Sequence, residues 1–142
     1  MKLLVLICYL IICSIIDLKQ KKIPIILLGV GISIGFIYSL CQIIMKNKEM
    51  IDLLLSLIPG FVLIFVCRIS KGSIGMADGL MLIITGFVFM PYSNLLMIII
   101  AFLSSFFVSC ILVFIKNVRK SVTMPFIPFI LFSTIIVGYI KK

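Results

Sequence analysis

The chain has 142 residues, 64% of them hydrophobic, and a mean hydropathy of +1.45. Thirteen Lys and Arg stand against four Asp and Glu, with no His and no Trp. A soluble domain, with about 25% charged residues, and a disordered chain, with low hydrophobicity, are both excluded; the composition is that of an all-α polytopic membrane protein, a single domain over 1–142.

At about 20 residues per span, six helices fill this length. Helix 1 is expected over about Leu3–Leu18, with Asp17 in its last turn. The start has the look of a signal peptide, or of a lipoprotein with Leu10-Ile11-Ile12-Cys13. Both need small residues before the cut, and Ile11 and Ile12 are bulky, so a retained helix is expected. A basic loop with Lys19, Lys21 and Lys22 follows. Pro24 opens helix 2, to about Met45, because a first-turn N–H needs no partner. Gly31 and Gly35 in that helix have the spacing of close helix packing.

Lys46 to Glu49 read as a polar loop. Helix 3 spans about Ile51–Ile69, with a kink expected at Pro59-Gly60. The small, polar stretch from Arg68 to Asp78 runs into helix 4, about Asp78–Phe89. Pro91 to Asn94 read as a turn before helix 5, about Leu95–Ile115. After a third basic loop (Lys116, Arg119, Lys120), helix 6 spans about Pro125–Ile140. The five cysteines form no C-x-x-C pair and read as small buried hydrophobes.

Six spans place eight basic residues on the side of the 1–2, 3–4 and 5–6 loops, and five on the side of the termini. The positive-inside rule then puts the eight in the cytoplasm and both termini outside. Clusters at the ends of apolar runs suit anionic headgroups, so the bilayer, and not nucleic acid, is the partner of the +9 charge.

Only four acids remain to be explained. Glu49 and Asp52 open helix 3 on the outer side, where they complement a helix N-terminus. Asp17 closes a helix and opposes its dipole, after an apolar run whose polar side chains are Tyr9 and Ser14. Such residues are functional candidates. Asp78, at the first turn of helix 4, shares its membrane face. Two adjacent carboxylates share a proton, and such a pair can activate water while polarising an amide carbonyl. Hydrolysis by this route needs neither His, metal nor cofactor, so a chain without His can still be a hydrolase.

Three stretches then match one family. Gly75-Met76-Ala77-Asp78 resembles the G-x-G-D motif of the type IV prepilin and preflagellin peptidases. Asp17 with its basic loop and Ile23-Pro24 resembles that family's first aspartate and D…I-P stretch. Met124-Pro125-Phe126-Ile127-Pro128-Phe129 resembles the P-F-x-P-F at the start of its last helix. The resemblance implies an aspartic endopeptidase that removes the basic leader of pilin, pseudopilin or preflagellin precursors at the cytoplasmic face. Asp17 and Asp78 become the catalytic pair, and Gly75 and Ala77 the small residues that allow close approach.

Ala77 stands where the family has its second Gly. A requirement for positive φ there would penalise Ala. Leu80 and Ile25 also depart, from a basic residue and from Asn or Asp. The chain lacks the paired C-x-x-C motifs of larger members, and no methyltransferase activity is expected. The loops beside the site are basic like the leader itself; Lys21 and Lys71 are expected to meet an acid early in the mature segment. Presenilin-type peptidases share G-x-G-D but carry a Tyr beside the first Asp and a P-A-L motif, neither found here. A proton- or ion-coupled transporter could use the same acids, though it would hold them nearer mid-membrane; a non-catalytic scaffold is the third class.

Overall fold

The computed structural model describes residues 2–20, 23–46, 48–70, 75–116 and 125–140. They form six helices: α1 (Lys2–Gln20), α2 (Ile25–Ile44), α3 (Met50–Ile69), α4 (Met76–Val88), α5 (Pro91–Lys116) and α6 (Ile127–Ile140). The all-α expectation holds, and most ends fall within two residues of those read from the sequence. Four helices, α1, α2, α3 and α5, are long and apolar enough to cross a membrane. The other two are short: α4 has 13 residues and α6 has 14, or about 20 Å each, against a hydrocarbon core of about 30 Å.

The short α4 is the hub. It is buried without a break from Met81 to Phe87 and packs against α1, α2, α3 and α5, while α6 joins α1 to α5. Small residues let the backbones meet. A Cβ on Gly60 would lie 2.9 Å from the Ile83 nitrogen, and one on Gly79 would lie 3.2 Å from the Ile64 nitrogen, so α3 and α4 cross where neither helix has a side chain. The Gly31 and Gly35 face of α2 is buried against Ile84 and Phe87 of α4, as their spacing predicts. Phe36 adds an edge-on contact to Phe87 at 6.0 Å.

Three details differ from the sequence reading. Pro91 to Asn94 are the first turn of α5 and not a loop; a Pro at the first helical position loses no bond, and Asn94 donates its backbone N–H to Met90 O at 2.9 Å. Cys13 and Cys67 are buried, but Cys8 and Cys41 turn outward, where lipid is as apolar as a core. Lys48, read as loop surface, is 6% exposed. Its Nζ donates to Gly86 O at 3.0 Å and Phe89 O at 2.8 Å, which places a cation on the open carbonyls ending α4.

Candidate active site

One end of the bundle gathers the end of α1 and the starts of α4 and α6. Asp17 lies in the closing turn of α1 and is 8% exposed. Its Oδ2 accepts the backbone N–H of Ile127 at 3.4 Å. Ile127 is the first residue of α6, so the carboxylate opposes the dipole of its own helix but faces the positive end of another.

The turn before α6 is built for this. The Phe129 and Ile130 N–H groups both donate to Phe126 O, at 3.0 and 3.3 Å. Pro128 has no N–H to satisfy. That leaves the Ile127 N–H free for a partner outside the helix. Phe126 is buried and its ring lies 5.0 Å from that of Phe102 on α5, which anchors the turn. The two prolines flanking a helix start were the sequence signal for this donor. Its use by Asp17 escaped the sequence reading, because a backbone N–H leaves no trace in residue type.

Asp78 sits in the first turn of α4, half-buried, and its N–H donates to Gly75 O at 3.1 Å. Helices α1 and α4 are in contact. Two helices distant in sequence therefore bring these carboxylates to one end of the bundle. Gly75 is exposed and extended, with φ −67° and ψ 124°. A Cβ there would lie 2.8 Å from Asp78 Oδ2, so the glycine clears room for the carboxylate. Ala77 is half-buried within α4. Among the described non-glycine residues only Lys46 has positive φ, so the backbone at 77 asks nothing that Ala cannot supply.

Glu49 and Asp52 lie at the opposite end, at the N-cap and first turn of α3. Lys21 and Lys71 lie outside the described residues. Among the described residues no group of three His, Cys, Asp or Glu side chains is placed to hold a metal ion.

The family model of the type IV leader peptidases matches residues 4–115. That range holds Asp17, Gly75, Ala77 and Asp78, and ends before the Pro125–Phe129 turn. No curated protein and no solved structure matches the chain significantly.

Proposed function

Because this chain belongs to the type IV leader peptidase family, we propose that it is an intramembrane aspartic endopeptidase with Asp17 and Asp78 as its reacting pair. The substrate is a precursor of the pilin, pseudopilin or preflagellin kind, cut between a basic leader and an apolar helix. One observation carries this reading: Asp17 and Asp78, on helices far apart in sequence, share one end of the bundle where α1 meets α4.

The pair works through one proton held between two carboxylates. The ionised carboxylate takes a proton from water as the water oxygen bonds to the scissile carbonyl carbon. The protonated one gives its proton to the carbonyl oxygen. When the tetrahedral species collapses, the C–N bond breaks, the leaving nitrogen takes the proton drawn from water, and the carbonyl proton returns to its donor. The protons belong to the pair and to neither residue alone. The Ile127 N–H keeps one oxygen of Asp17 oriented throughout.

The distribution of Lys and Arg supports a cytoplasmic position for this end of the bundle, in the cell membrane, with both termini outside. The basic loops lie on anionic lipid, and Lys21 and Lys71 meet an acid early in the mature segment. Reversing both charges with unchanged cleavage would remove that contact from the account.

Co-expression with candidate precursors, followed by gel shift of the leader, tests the whole reading. Wild type is expected to process at least one precursor, while Asp17→Asn and Asp78→Asn process none. Leader loss in either variant at the wild-type rate overturns the mechanism.

A further inference from the structure

A cavity of about 160 Å³ opens in the side of the bundle. Val5 and Tyr9 of α1 form one wall, Ile34 and Tyr38 of α2 the other, and Ile84 with Val88 of α4 the floor. The rim faces the lipid: Val5 is 61% and Ile34 54% exposed, against 2% for Ile84. The cleft exists because α1 packs chiefly on α6 while α2 packs on α4, so two helices adjacent in sequence diverge. The Tyr9 hydroxyl donates to Leu27 O at 3.1 Å and sets the spacing of the walls. Gly31 and Gly35 leave the α2 side without bulk.

We propose that this cleft receives one large aliphatic or aromatic side chain of the precursor's apolar helix, on the mature side of the cut bond. The inference rests on the peptidase reading and adds where the membrane part of the substrate docks. Three observations favour that occupant. One wall and the floor belong to α1 and α4, the helices that carry Asp17 and Asp78. The lining holds no charged group, as an apolar helix requires. The cleft also lies on the membrane side of the carboxylates: Tyr9 is about 12 Å from Asp17 along α1, and Ile84 about 9 Å from Asp78 along α4, at 1.5 Å per residue.

A substrate chain cut at the dyad and continuing into the bilayer runs past this opening. Helical from the cut onward, it presents residues about six to eight past the bond to the cleft. The volume fits a single side chain and not a helix, since a cavity of about 150 Å³ takes one benzene ring. The contact is therefore a knob in a hole, which selects precursors by the size of one residue.

The test uses the full chain in lipid vesicles. A photo-crosslinking residue replaces Val5 or Ile34 in an Asp78→Asn background, so that binding is read without cleavage. The probe is a synthetic precursor with a Lys-rich leader, an apolar helix of about 20 residues, and either Phe or Ala at the sixth to eighth positions past the cut. The expected result is a crosslink to those positions that falls severalfold with Ala. Crosslinks to lipid alone, or to precursor regardless of Ala, overturn the proposal.

Cleavage of the same precursor by wild type separates the two readings. Cleavage without crosslinking removes the cleft and keeps the peptidase; crosslinking without cleavage does the reverse. In a cleaving enzyme, Ile34→Trp, which fills the cleft from its rim, is expected to raise KM about tenfold with kcat kept. The same enlargement at the outward-facing Phe114 leaves both unchanged. Equal KM values for the two variants also overturn the proposal.

Discussion

Asp17 and Ile127 are 110 positions apart, yet the Asp17 carboxylate accepts the Ile127 backbone N–H at 3.4 Å. The bond joins the last turn of the first helix to the first turn of the last. It turns an acid at an unfavourable helix end into one oriented by a favourable end. Replacing Ile127 by Pro deletes the donor while suiting the first helical position. Ile127→Ala keeps the donor and removes most of a fully buried side chain. Both variants are expected to lower Tm in detergent, but only Ile127→Pro to lower kcat, by about tenfold, in line with the lower end of the roughly 1.5–3 kcal/mol for a bond to a charged group. Equal kcat values for the two would show that the N–H does not orient Asp17.

The carboxylates are expected to fail as a unit. A general acid or base contributes about 10²–10⁴-fold, and groups acting in one step are not additive. Asp17→Asn and Asp78→Asn should each cost about a thousandfold or more in kcat/KM, and the double variant no more than the worse single one. Multiplying losses in a leader-release assay would mean that the two residues act in separate steps.

Gly75 and Ala77 separate two meanings of a small residue. At Gly75 the constraint is space, because a Cβ would press on Asp78 Oδ2 at 2.8 Å. Gly75→Ala is expected to lower kcat about tenfold, and as an exposed change to alter stability by less than about 0.5 kcal/mol. At Ala77 the backbone is already helical, so restoring the family's glycine gives nothing to the site and costs about 0.5–1 kcal/mol of helix stability. A gain in activity for Ala77→Gly would point to a steric role for the methyl group.

Much of this arrangement was legible before the structure. Hydropathy marked six helices, the Gly31 and Gly35 spacing marked a packing face, and the scarcity of acids singled out Asp17 and Asp78. The illegible parts share a cause, which is that a polar residue's partner lies on another helix. Lys48 read as loop surface because its acceptors, Gly86 O and Phe89 O, are backbone atoms about forty residues on. Pro91 to Asn94 read as a turn because Pro, Ser and Asn favour turns; the burial of Ser93 and Asn94 drew them into α5. Nothing in the composition of α4 revealed that a helix too short for a span would be the one the others surround.

Asn94 shows what holds that hub. Its Nδ2 donates to Ser56 O at 2.8 Å, and its Oδ1 accepts from Thr85 Oγ1 at 3.1 Å, so one fully buried side chain ties α3, α4 and α5 together. Polar contacts between membrane helices are worth about 0.6 kcal/mol on average and up to about 1.7. Asn94→Ala should therefore cost about 1–2 kcal/mol, read as a lower Tm in detergent. Asn94→Asp keeps the acceptor for Thr85, but in a dry interior at neutral pH its carboxyl must either take up a proton, at a cost of about 4 kcal/mol, or set an unpaired charge against the Ser56 carbonyl. The expected order of Tm is wild type, Asn94→Ala, Asn94→Asp. A stability of Asn94→Ala equal to wild type would mean that the amide bonds to Ser56 O and Thr85 carry no weight in joining the helices.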